Sequence, residues 1–313
     1  MSQAAPVPSP PIGAAPDWRA ALLPPAKRRF WVFSDLQQSD PDNARRCMET
    51  GVRDFLSLRL AVDAVCYLGD STEGENPDHL REMSDMQVRA LARVDAPVFY
   101  AMGNHEFDLF RASDRSRVVI PIRDRIRDEP QWHVTASVRD WLFVADFGDL
   151  ALALLSDHAD ESGAWWTTHG VIHGLPEGAP DPHGDEAARI RERIAALGKP
   201  VFTMSHYPFP GGNREAPLQA GLLPLPRNVV AHFYGHSHIG DAVWGRENLW
   251  RQVSGIDNEP VAQFDIASLE NRRGSVVRSA VLEWYGGDRY GVFFRDHTRA
   301  TWERVHLSFS GPA

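Results

Sequence analysis

An α/β fold assembled from βαβ units is predicted by three observations on this chain of 313 residues. Short apolar runs rich in β-branched and aromatic residues recur from residue 30 onward, each stopping abruptly at a polar residue in a Gly- or Pro-containing loop. Between several of these runs lie stretches whose apolar residues step by three or four, the spacing of a helix face. Strands that alternate with helices in this way form parallel sheets joined by crossover helices. The 43% apolar and 24% charged residues are ordinary for a chain that builds a core, and no internal repeat competes with this reading.

Taken in order, residues 1–27 are rich in Pro and Ala and read as a flexible tail, with 28–310 forming a single domain whose C-terminal part is β-rich. FWVF (30–33) is the first strand and ends at Ser34-Asp35; a helix is expected from about Asn43 to Ala61. AVCYL (64–68) runs into Gly69-Asp70, and Leu80, Met83, Gln87, Leu91 and Val94 then have helical spacing. VFYAM (98–102) precedes Gly103-Asn104, and LALALL (150–155) precedes Ser156-Asp157. From Asp157 to Asp185 the histidines His158, His169, His173 and His183 and the pair Trp165-Trp166 stand among Gly and Pro. That stretch is too long for a simple connector and is a candidate lid or substrate loop. Ala187, Ile190, Ile194 and Leu197 follow the acidic pair Asp185-Glu186, which suits a helix N-terminus. VFTM (201–204) ends at Ser205-His206 and VVAHFY (229–234) at Gly235-His236. Beyond residue 240 the segments SAVLEWY, YGVFFR and ATWERVHLSF, with a turn at Gly286-Gly287-Asp288, read as a β-meander or hairpins closing the domain. Its arginines Arg289, Arg295, Arg299 and Arg304 are either solvated hairpin positions or contacts for a substrate phosphate.

Composition excludes several classes. With 33 basic against 42 acidic side chains, the net charge of −9 argues against nonspecific nucleic-acid binding, which needs a basic face. Cys47 and Cys66 are too few for a disulfide framework and lack zinc-site spacing, so they are expected to be buried in a protein of a reducing compartment. The longest aliphatic run, Leu150 to Leu155, is far short of the ~20 residues of a membrane helix. A cytoplasmic protein without membrane contact is expected, and no oligomeric state is set.

The side chains that can carry chemistry are Asp35, Asp70, Asn104, His206, His236 and His238, each within a few residues of the end of an apolar run. In open α/β sheets the loops at the carboxyl ends of strands converge on one crevice. Two carboxylates, one amide and three imidazoles exceed the needs of one tetrahedral ion and suit two divalent cations. The plainer alternatives are a turn or N-cap role for the aspartates and an ordinary loop histidine at His105.

The ordered blocks Asp35-Leu36-Gln37, Gly69-Asp70, Gly103-Asn104-His105-Glu106, His206 and Gly235-His236-Ser237-His238 resemble the calcineurin-like metallophosphoesterase superfamily. GNHE and GHSH are the most specific of them. The resemblance implies a four-layer fold, two mixed β-sheets packed as a sandwich and flanked by helices. It implies that Asp35 and His238 hold a first metal, that Asp70 bridges, and that Asn104, His206 and His236 hold the second. Two divalent ions, Mn, Fe or Zn, would supply a metal-bound hydroxide to attack a phosphate monoester or diester. His105 resembles the histidine that stabilises the transition state or protonates the leaving oxygen, with Glu73 or Glu106 to orient it.

One position departs from the common pattern: most members carry Asp-x-His in the first block, and this chain has Gln37. Its amide is a neutral, poorer donor to a borderline metal than imidazole. Gln37 either ligates the first ion directly or acts through water. A rival function, a noncatalytic binding module with a weakened metal site, draws its support from Gln37 alone. The expected substrate is a phosphorylated small molecule or other phosphoester; a nuclease is disfavoured because the acidic balance provides no charged track.

Overall fold

The computed structural model describes residues 25–74, 76–107, 121–135, 140–156, 186–209, 222–238, 260–266, 268–272 and 276–309, with backbone alone at 158–159, 165–166, 172–173, 184–185 and 250–254. The N-terminal stretch 1–24 and the side chains of His158, Trp165, Trp166, His169, His173 and His183 lie outside the described residues.

The first strand, β1 (Arg28–Phe33), shows why the apolar runs have no polar face. Phe30 and Val32 point to one side of the sheet and join a core shared with the second sheet, whereas Trp31 and Phe33 point to the other and meet the helices. A strand buried on both faces reads as continuously apolar. β1 pairs in parallel with β2 (Ala64–Tyr67), which pairs with β3 (Val98–Tyr100) and through it with β4 (Trp132–His133).

The second sheet is built around β6 (Ala151–Leu155), β10 (Val201–Ser205), β11 (Val229–Tyr234) and β13 (Pro260–Asp265), all parallel. Antiparallel partners β5 (Leu142–Asp146) and β12 (Trp250–Ser254) flank it. The two-residue strands β7 (His158–Ala159), β8 (Trp165–Trp166) and β9 (Ile172–His173) form a separate small antiparallel sheet within the stretch read as a lid.

The C-terminal meander is β14 (Arg278–Gly286), β15 (Arg289–Asp296) and β16 (Thr301–Leu307), each antiparallel to the next. It is a continuation of the first sheet, because β14 pairs antiparallel with β1, Trp31 opposite Val281. The order is β16-β15-β14-β1-β2-β3-β4 in one sheet and β12-β13-β11-β10-β6-β5 in the other. The two mixed sheets face each other across Phe30, Val32, Leu152, Phe202, Phe233 and Leu282.

Helices cover the outer faces. α1 (Pro41–Ser57) is capped by Asp40, whose side chain accepts the N–H of Asp42, and starts with Pro41, whose missing N–H costs nothing in the first turn. It buries Ala44, Cys47, Met48, Gly51, Val52 and Phe55, and the Phe55 ring stacks on Trp31 at 4.1 Å. The helix ends at Ser57, short of Ala61, where Arg59 turns left-handed at φ 52°. α2 (Pro77–Leu91), capped by Asn76, and α3 (Pro121–Ile126) pack on the same face. α4 (Gly184–Ala196) buries Ala187, Ile190 and Ile194 against the second sheet. Helix, sheet, sheet and helix make the four layers. Both cysteines are buried free thiols.

The arginine reading needs one correction. Arg295 is neither solvated nor open to a phosphate: its guanidinium forks onto Asp54 of α1 through two bonds of 2.8 Å, and both side chains are buried. Asp54 Oδ2 also accepts His297 Nδ1–H at 2.7 Å, His297 Nε2 accepts Ser279 Oγ–H at 2.6 Å, and Ser279 Oγ accepts Trp31 Nε1–H at 2.8 Å. Ser, His and Asp stand here in the order of a hydrolytic triad, but Ser279 is wholly buried beneath Trp31, so no substrate reaches the hydroxyl. The network ties α1 to the first sheet.

Candidate metal centre

Strands β1, β2 and β3 of one sheet and β10 and β11 of the other deliver their carboxyl ends to the same edge of the sandwich. Asp35, Asp70 and Asn104 follow the first three, and His206, His236 and His238 follow the other two. Hydrogen bonds lock the two halves together: His206 Nδ1 lies 2.8 Å from the Leu68 carbonyl oxygen, and the backbone N–H of His236 donates to Asp35 Oδ2 at 2.9 Å.

Ligand atoms of Asp70, His206 and His236 lie within 4.8 Å of one another, and so do those of Asp35, Asp70 and His238. Asp70 belongs to both groups. Its Oδ2 is 3.0 Å from His206 Nε2, and Asp35 Oδ1 is 3.2 Å from His238 Nε2. His206 Nε2 also lies 3.2 Å from His236 Nδ1. Asn104 is placed by Tyr207, whose hydroxyl donates to Asn104 Oδ1 at 2.8 Å and whose ring packs on His236 at 4.1 Å. Gln37 is buried in the loop of Asp35, its N–H bonded to the Asp70 carbonyl at 2.9 Å.

Backbone strain concentrates here. Asp35, Gln37, Asp70, His236 and His238 all have positive φ, between 23° and 66°. Each such non-glycine residue costs of the order of 1–3 kcal/mol and persists where the surroundings enforce it. The glycines before Asn104 and His236 are needed because the chains touch: a Cβ on Gly103 would stand 2.6 Å from Asp70 Oδ1, and one on Gly235 1.9 Å from Ser34 Oγ and 2.5 Å from Asp35 Oδ2. Gly235→Ala is therefore expected to push the Asp35 and His236 loops apart. The expected cost is about 1–3 kcal/mol of stability together with weakened metal uptake, checked by thermal unfolding and elemental analysis.

Glu106 underpins the Asp70 loop. Its carboxylate accepts the N–H groups of Asp70 (3.0 Å), Ser71 (2.6 Å) and Gly103 (2.6 Å) and the Ser71 hydroxyl (2.8 Å). Glu73 pairs instead with Arg272. The carboxylates considered for orienting His105 are thus committed to the loop of Asp70 and to Arg272. His105 itself opens a short 3-10 helix (His105–Phe107), its backbone N–H bonded to Asp70 Oδ1 at 2.9 Å.

These residues fit divalent metal. Asp35 Oδ1 and Asp70 Oδ2 are buried and have no hydrogen-bond partner among the described residues, a costly arrangement for carboxylates unless a cation faces them. In its neutral form His206 donates from Nδ1 to Leu68, which turns the Nε2 lone pair to Asp70. Burial pushes the Asp35 carboxyl up, with His238 and His206 opposing. Burial works against the Asp70 carboxylate too, but without a cation a His206 ring that carries a proton toward Asp70, together with the N–H of His105, holds it below the ordinary range.

The sequence profile of the calcineurin-like phosphoesterase family matches residues 28–240. The chain belongs to this family. As a calcineurin-like phosphoesterase it is a metal-dependent phosphoester hydrolase, which accords with the donor set at the strand ends. Among solved structures, a dimetal phosphatase from Danio rerio is similar over 90% of this chain and 99% of its own, with a TM-score of 0.58 and 13% identity. At that identity the likeness speaks for the fold. A purple acid phosphatase from yellow lupin (Lupinus luteus) seeds aligns over 90% of this calcineurin-like phosphoesterase and 53% of its own chain, at 12% identity and a TM-score of 0.49. No curated protein sequence matches. Among the described residues no helix is long and apolar enough to cross a membrane.

Asp35, Asp70, His206, His236 and His238 come together, Asn104 is joined to them through Tyr207, and Gln37 lies in the loop of Asp35. Sequence reasoning missed Tyr207 and Glu270. Tyr207 directly follows His206, but adjacency alone does not distinguish it from a packing aromatic. Glu270 lies well outside every motif and gave no signal.

Proposed function

We propose that this chain hydrolyses phosphate monoesters or diesters at a centre of two divalent cations, Mn, Fe or Zn. Asp35, His238 and Gln37 hold the first, Asn104, His206 and His236 the second, and Asp70 is shared. The observation that carries the reading is the pair of buried carboxylate oxygens, Asp35 Oδ1 and Asp70 Oδ2, without hydrogen-bond partners among the described residues and with imidazole nitrogens 3.2 and 3.0 Å away. Cations bound there would polarise phosphoryl oxygens and lower the pKa of water to near neutrality.

The chain's own residues do the rest. Asp70 keeps both donor sets in register, and its bond to the His105 N–H fixes where that histidine leaves the backbone. His105 is the residue assigned to hand a proton to the leaving oxygen, a contribution of typically ~10²–10⁴-fold. Asn104 is oriented by Tyr207 and His206 by the Leu68 carbonyl. The substrate is a phosphorylated small molecule or another phosphoester. Charge supports no nucleic-acid partner, and a cytoplasmic location accords with two buried free cysteines.

Protein purified without chelator is expected to carry close to two equivalents of metal by elemental analysis and to hydrolyse p-nitrophenyl phosphate or bis-p-nitrophenyl phosphate when Mn²⁺ is supplied. Removing the metal with EDTA should abolish turnover and adding Mn²⁺ back should restore it. Protein that holds no metal and hydrolyses neither ester would overturn the proposal.

A further inference from the structure

Glu270 is wholly buried and lies beyond residue 240, where the family match ends. It follows β13 in the segment 268–272, whose Leu269 N–H donates to the Ser34 carbonyl at 2.9 Å, so the segment is fastened beside the Asp35 loop. Its Oε1 is 3.0 Å from His238 Nδ1; its Oε2 accepts Gln38 Nε2–H at 3.2 Å and the Arg272 N–H at 3.0 Å. Arg272 Nε stands 3.7 Å from the same oxygen.

A carboxylate can only accept, so the His238–Glu270 contact requires a proton on Nδ1. In the neutral ring that leaves the lone pair on Nε2, the atom 3.2 Å from Asp35 Oδ1. A carboxylate behind a metal-binding imidazole fixes its tautomer and ring plane and raises the basicity of the nitrogen in front. The first site needs that help, because Gln37 offers only a neutral amide and His238 hangs on left-handed backbone at φ 43°.

We infer that Glu270 is a positioning residue that prepares His238 for the first metal, so that the site is completed by a carboxylate outside the matched segment. The inference rests on the two-metal reading above.

The test is calorimetric titration of metal-free protein with Mn²⁺, together with thermal unfolding of the metal-free forms. Wild type is expected to take up two ions. Glu270→Gln should weaken one binding step by about 10–100-fold and leave the other within about threefold. The loss should vanish in an Asp35→Asn background, where the first site is already disabled. Phe55→Leu loosens the core far from the site and reports general destabilisation; it should leave both steps unchanged. Should Glu270→Gln not fold, Glu270→Asp keeps the charge for Gln38 and Arg272 but draws it back from His238, and the same step should weaken. Two unchanged steps in the folded Glu270 variant, or equal weakening of both there and in Phe55→Leu, would overturn the inference while leaving the hydrolase reading intact. A wild-type chain that takes up no metal would overturn both.

Discussion

Asp70→Asn is expected to lower kcat/KM for p-nitrophenyl phosphate by roughly 10³-fold or more while the protein stays folded. Asp70 is the one carboxylate common to both groups of ligand atoms. The amide removes the negative charge on which both sets depend, and transition-state stabilisation by bound metal is worth several kcal/mol, at about 1.4 kcal/mol per factor of ten. Stability should hardly change, because Asn keeps an acceptor for the His105 N–H and the Glu106 bond to the residue 70 backbone survives. The measurement pairs steady-state kinetics with elemental analysis and a thermal melt. Turnover equal to wild type would remove Asp70 from the chemistry.

The second large effect falls on stability. Asp54→Asn should cost about 3–5 kcal/mol, because it strips the buried Arg295 guanidinium of its counter-charge. For a domain of this size that is a fall in Tm of roughly 10 °C. Acid should act in the same direction. Burial works against the Asp54 carboxylate, but Arg295 and His297 outweigh it and pull its pKa down to about 2. Its stabilisation is therefore complete above the unfolded value of about 3.9 and is lost as pH falls toward 2. Burial pushes His297 below its ordinary range against the pull of Asp54, so unfolding takes up a proton there once pH drops below about 6.5. Tm measured from pH 7 to pH 3 should decline in wild type, and more shallowly below pH 4 in Asp54→Asn. Parallel curves over that last interval would show that Asp54 does not carry the acid dependence.

The architecture was legible wherever local pattern and long-range structure agree. The runs ending at Asp35, Asp70, Asn104, His206 and His236 announce themselves because a strand buried on both faces must be apolar throughout and must stop where the chain reaches the polar edge. Those same stops are the metal-competent residues, so fold and candidate site were readable from one signal. Strands β5 and β13 were not: LFVAD and PVAQFD are no shorter than the strands that were, but they gain their identity from neighbours in the sheet. Arg295 misled for a related reason: in sequence it is a charged residue of a hairpin, and its partner Asp54 lies 241 residues away. Glu270 shows the limit most clearly, since a carboxylate set behind His238 is defined by a contact in space that no spacing encodes.

The pairing of β1 with β14 has a temporal consequence. β1 ends at Phe33, and the strand that covers its free edge begins at Arg278. With synthesis running at about 5–20 residues per second, a nascent chain waits roughly 10–50 s with that apolar edge exposed after the first ligand loop has been made. Over that interval β1 can pair with β2 and α1 can dock, but its other flank remains open to any passing strand. The candidate ligand loops of the first sheet emerge early and the clasp that finishes that sheet emerges late, so the strands from Arg278 onward decide when the newborn protein ceases to be adhesive.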